Sequence, residues 1–116
     1  MNLASYGKAI VLLLLVDAFW LLTGGIYLRQ MIEDVQRESL KPRYMSALLV
    51  YVFLAYMLLE TTSYMQAFMY GICIYAIYDF TNYAVFERYD WKLGVADTLW
   101  GGVLFVVTRY LLLRVF

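Results

Sequence analysis

Tyr78-Asp79-Phe80-Thr81-Asn82 sets a carboxylate and a carboxamide about one helical turn apart, inside a run that is otherwise apolar and aromatic. Asp17 and Asp97 sit in equally apolar company. An ionised Asp at the centre of a membrane helix costs about 2.5 to 3.5 kcal/mol. Three of them in one short chain therefore require partners, a wet cavity or protonation, and any function should be sought among them.

The surroundings of this stretch decide the fold. Of the 116 residues 65% are hydrophobic, and the mean hydropathy is +0.70, against an apolar share of about 45 to 50% for soluble domains. The expectation is an all-α, four-span transmembrane helix bundle forming a single integral membrane domain over residues 1–116, with the lipid bilayer as its partner. The spans read as 9–28, 45–63, 66–86 and 93–113. A large soluble catalytic domain is excluded. Nine basic residues balance nine acidic ones, so no broad positive field exists to collect nucleic acid.

The first span contains one charge, Asp17, which falls near mid-membrane on these bounds; Trp20, Thr23 and Gly24 continue its face. Lys8 followed by Ala9 to Val16 imitates a signal peptide, but Asp17 interrupts it and no small-residue cleavage site follows, so it reads as a retained helix. From Gln30 to Tyr44 the composition turns polar, with Met31, Ile32 and Val35 spaced for a short amphipathic piece on the membrane surface. Pro42 ends whatever helix precedes it. The short weakly polar stretch Glu60 to Met65 implies a tight hairpin between spans two and three. Glu60 should snorkel to the interface. In span three, Gly71, Tyr75, Asp79 and Asn82 share one face. Cys73 reads as a small packing residue. Arg109, late in span four, is expected to meet Glu60.

Arg29, Arg37, Lys41, Arg43, Arg88 and Lys92 all fall in the two loops on one side, which the positive-inside rule assigns to the cytosol, leaving both termini outside. On that arrangement Asp79 and Asp97 lie about 6 to 12 Å from the cytosolic boundary at 1.5 Å per residue, with Asp17 deeper.

Asp-x-x-Trp occurs twice, as Asp17-Ala18-Phe19-Trp20 and Asp97-Thr98-Leu99-Trp100, each followed closely by a Gly-Gly pair. Spacing of three residues puts acid and indole on one face, so both motifs can contribute to a polar pocket between spans one, three and four. Together Leu15-Val16-Asp17-Ala18-Phe19-Trp20-Leu21, Tyr78-Asp79-Phe80-Thr81-Asn82-Tyr83-Ala84 and Val95-Ala96-Asp97-Thr98-Leu99-Trp100-Gly101 resemble, in order and separation, the small bacterial and viral four-helix membrane proteins grouped as domain of unknown function 2177. The resemblance spans nearly the whole chain. It implies an integral membrane protein and brings no activity with it.

Three acids with no base at their depth cannot all stay charged side by side. One reading makes Asp17, Asp79, Asn82 and Asp97 register pins, hydrogen-bonded to Trp20, Trp100, Tyr75, Thr81 or Thr98. The second makes them a pocket for a proton, a hard cation or a small polar solute, with Asp79 central, Asp17 and Asp97 coupled to it and Asn82 a neutral ligand. A four-helix transporter of this kind calls for a homodimer. A third reading is an enzyme acting on lipid headgroups, but no activated serine, phosphate loop or histidine supports it. Proton- or cation-linked handling of a small solute is the expectation, ahead of enzyme activity. No cofactor is assigned.

Overall fold

A computed structural model describes residues 2–39, 41 and 43–115. The described residues form five helices and no strand: α1 Leu3–Leu21, α2 Gly25–Gln36, α3 Tyr44–Glu60, α4 Tyr64–Val85 and α5 Trp91–Val115. Three of the expected spans correspond to α3, α4 and α5 within a few residues. The first does not.

Instead of running from residue 9 to 28, the first helix starts at Leu3, where the Asn2 side chain accepts the Ser5 amide at 2.8 Å, and stops at Leu21. The Thr23 hydroxyl donates to the Phe19 carbonyl at 2.6 Å. Gly24 turns directly against the Trp20 ring, where an added Cβ would lie 2.6 Å from Cη2. This turn removes Thr23 and Gly24 from the helical stripe and shifts Asp17 from mid-span to the last turn or so of α1. The apolar run continues through the break, which is why composition alone hides it.

After the break α2 is amphipathic, as expected of this region, but it begins earlier and is docked on protein. Leu28 and Met31 are buried against Tyr89, with Ile32, Trp20 and Leu93 around them. Its end is marked by Arg37 in the left-handed region at φ 59°, and the Gln36 amide bonds the Glu38 and Ser39 carbonyls at 2.8 and 3.2 Å. The expected helix-ending Pro42 lies outside the described residues.

Between α3 and α4, Ser63 caps the Gln66 amide at 3.1 Å while the Gln66 side chain accepts the Thr62 amide at 2.7 Å, a reciprocal capping arrangement. The turn is as short as anticipated. The two helices nevertheless pack little on each other; α3 lies mainly on α1, and α4 mainly on α5. The fully buried centre includes Leu13, Ala55, Leu58, Leu104 and Phe105. Leu15, Phe19, Phe53, Ile77 and Leu113 are exposed, far more apolar surface than a soluble monomer presents. Cys73 is exposed, not packed inside.

Arg109 does not meet Glu60. Its Nη1 donates to the Thr61 carbonyl at 2.7 Å and the Thr61 hydroxyl at 3.0 Å, and its guanidinium lies 5.6 Å from the Tyr64 ring centroid. A backbone carbonyl freed at the end of α3 is a better buried acceptor than a long carboxylate that can reach solvent. Glu60 is exposed.

Candidate functional site

Two antiparallel helices, α1 and α5, exchange their polar groups. Trp20 Nε1 donates to Asp97 Oδ1 at 2.9 Å, and Trp100 Nε1 donates to Asp17 Oδ1 at 2.8 Å. Each Asp-x-x-Trp motif thus serves the acid of the other, and the two indoles stack with centroids 5.6 Å apart and planes 14° from parallel. The repeat in the sequence is the trace of this local two-fold relation. Since Asp17 pairs with Trp100 and Trp20 with Asp97, Asp17 lies about one helical turn, some 5 Å, farther than Asp97 from the Trp91 end of α5.

α3 joins the site, which the sequence reading confined to the other three spans. Tyr51 donates to Asp17 Oδ2 at 2.5 Å, so both oxygens of Asp17 are engaged. Asp79 on α4 is completely buried. It accepts Tyr89 Oη on Oδ1 at 3.0 Å and Thr98 Oγ1 on Oδ2 at 3.3 Å, and its carboxyl group lies within hydrogen-bonding reach of that of Asp97. Tyr89 sits in the turn after α4. Burial pushes its phenol well above the ordinary tyrosine range, so it remains a donor.

The other anticipated residues divide. Tyr75 lines the same cavity as Asp17 and Asp97 and makes no hydrogen bond to any of the three acids. Its ring is pressed against Gly101, where only a glycine leaves room. Asn82 approaches Tyr78 and also Tyr89, the donor to Asp79. Thr81 is exposed, on the far side of α4 from Asp79, and takes no part. Tyr51 and Tyr89 were not singled out from sequence; among twelve tyrosines nothing local marks them.

The donors described for these acids are uncharged: two indoles, phenols and a hydroxyl. Asp17, Asp79 and Asp97 are 5, 0 and 7% exposed. Among the described residues no group of three acidic or sulfur ligands is close enough to hold a metal ion. Asp17 and Asp97, but not Asp79, also line a partly open cavity of about 440 Å³ bordered by all five helices. A larger, shallower depression of about 890 Å³ lies between α2 and the α4–α5 turn. Charges of both signs line it, such as Arg37, Glu38 and Arg88, and none of the buried acids does.

Among the described residues two helices, Leu3–Leu21 and α5 up to Arg114, are long and apolar enough to cross a membrane. No curated protein and no solved structure matches the chain. A family model described as a predicted membrane protein does match, over residues 2–112; that span holds both Asp-x-x-Trp motifs and the Asp79 stretch, and the chain belongs to the DUF2177 family.

Proposed function

We propose that the chain is a four-span integral membrane domain in which α1, α3, α4 and α5 cross the bilayer, α2 lies along its boundary, and the Asp79–Asp97 pair couples protons to a small solute. Helices of 19, 17, 22 and 25 residues reach about 28, 26, 33 and 37 Å at 1.5 Å per residue, bracketing a hydrocarbon thickness of about 30 Å. The longest dimension of the molecule is 42 Å. The exposed apolar side chains support the same reading. Lysines and arginines concentrated in the α2–α3 and α4–α5 loops put that end in the cytosol and both termini outside. Alternating access in so small a body calls for a second copy.

The observation that carries the proposal is the meeting of two buried carboxyl groups, Asp79 and Asp97, with neutral donors around them. Two carboxylates at hydrogen-bonding distance in a low dielectric repel each other strongly, so the pair holds a proton or a cation between its oxygens. Asp97 also borders the cavity, so what enters there can exchange with that proton. No observation at the pair specifically favours the lipid-enzyme reading. Asp17 favours a second reading for itself: with both oxygens saturated by Tyr51 and Trp100, it is a register pin for α1, α3 and α5.

Tryptophan emission of the protein in nanodiscs, followed across pH, tests the proposal, because Trp20 donates directly to the titrating pair. Wild type is expected to show a reversible transition that Asp79→Asn and Asp97→Asn abolish while their thermal stability changes little. A pH-independent emission, or variants that lose stability and nothing else, would leave all three acids as structural pins.

A further inference from the structure

The cavity beside the acids joins features that together describe a ligand. Its volume of about 440 Å³ falls in the range of about 300 to 1,000 Å³ usual for small-molecule sites. Asp17 and Asp97 belong to one part of its lining, and Trp20, Tyr75 and Tyr78 to another. Aliphatic side chains from four helices, such as Leu21, Leu28, Leu54 and Ile74, complete it.

We propose that this cavity binds a lipophilic organic cation, an apolar or aromatic body carrying one ammonium group, as the solute of the proton-coupled site. The inference rests on that reading for its coupling and adds the substrate class. Acid and aromatic faces together are the chemistry that holds alkylated ammonium groups, through charge and through the negative faces of the rings. The aliphatic wall accounts for the body of the ligand. A hard metal ion finds too few oxygens, since six to eight is the usual number for calcium and no such group occurs among the described residues. An anion meets the acids with no compensating charge. Arg29, the one cation on the cavity wall, is turned toward Glu33 at 3.6 Å with its side chain 64% exposed. An ammonium group arriving at Asp97 supplies the positive charge that the proton shared with Asp79 would otherwise provide. One displaces the other, and the proton leaves to solvent.

Phenyltrimethylammonium and its neutral isostere tert-butylbenzene differ in a single charged atom and are the probes of choice. With wild-type protein in phosphatidylcholine nanodiscs, calorimetry and tryptophan emission should report saturable binding of the cation, with proton release, at an affinity about tenfold or more above that of the isostere. Asp97→Asn should weaken the cation about tenfold or more. Tyr78→Leu, at a side chain already 54% exposed, should weaken it severalfold, and it decides the matter if the Asp97 variant loses its helical circular dichroism. Equal binding of both probes, no saturable binding of the cation, or a Tyr78 variant that binds like wild type overturns the inference. Failure of cation binding in a protein that keeps its pH-dependent emission defeats the substrate class alone. Cation binding without any pH response supports the substrate class and defeats the proton coupling.

Discussion

Along α5, the side that faces α4 and the side that faces α1 are built from opposite chemistry. Toward α4, beyond the end where Asp79 meets Thr98 and Asp97, the contact is made by absence: Gly71 and Gly101 bring two backbones together, and Gly102 admits the Phe68 ring. Toward α1 the contact is made by polar groups that cross over, acid to indole in both directions. In lipid there is little hydrophobic drive between helices, so close packing and hydrogen bonds must do the holding. The α4–α5 side, the most extensive contact in the molecule, supplies packing. The α1–α5 side supplies register, and it leaves carboxyl groups where a cavity can reach them.

Gly101→Ala should break the first side most severely. The new Cβ would lie 2.6 Å from the Gly71 carbonyl oxygen and 2.6 Å from Tyr75 Cδ1. Because one of these obstacles is backbone, the helices must part, at a cost of about 3 kcal/mol; steric trapping or SDS unfolding in lipid would measure it. The same parting moves Tyr75 away from the acids. A wild-type unfolding midpoint in this variant would mean that the helices are not this close.

The second side calls for a pair of double-mutant cycles, Trp20→Phe with Asp97→Asn and Trp100→Phe with Asp17→Asn. Each coupling should be about 1 kcal/mol, within the span measured for hydrogen bonds between membrane helices. The local two-fold relation predicts nearly equal couplings for unfolding. Only the Asp97 cycle should also alter the pH response. Two cycles with the same effect on both readouts would erase the distinction drawn between pin and proton site.

The smallest effect is expected at Gly94→Ala, on the same helix. Here the added Cβ meets Asp79 Cβ at 3.6 Å and Tyr89 Cε1 at 3.7 Å, ordinary contact. Greater helix propensity should leave stability unchanged or raise it by up to about 1 kcal/mol. Two glycines two turns apart should therefore respond with opposite sign.

Some of this is legible in the sequence. Gly71, Tyr75 and Asp79 were expected on one face because the helical period demands it, and that face does turn to α5. The same period should have removed Thr81, two residues from Asp79 and therefore on the other side of the helix. It gave no way to select Tyr51 or Tyr89, whose neighbours resemble those of the other tyrosines. The break after Leu21 was hidden for a related reason: Thr23-Gly24-Gly25 reads equally well as a small-residue helical face and as a turn, and what selects the turn is the Trp20 ring packed against it.

Sequence alone determined that the chain is helical, that it carries far more apolar surface than its interior can bury, and that three acids lie among those apolar residues. These follow from composition and from a periodicity of 3.6, both of which are local. The tertiary structure decided which indole serves which acid, that Asp79 and Asp97 meet while Asp17 takes Tyr51 of α3 as a partner, and that α2 folds back onto Tyr89. Those choices depend on how helices distant in the chain align and cross. Crossing is set by the few places where the absence of a side chain lets two backbones touch.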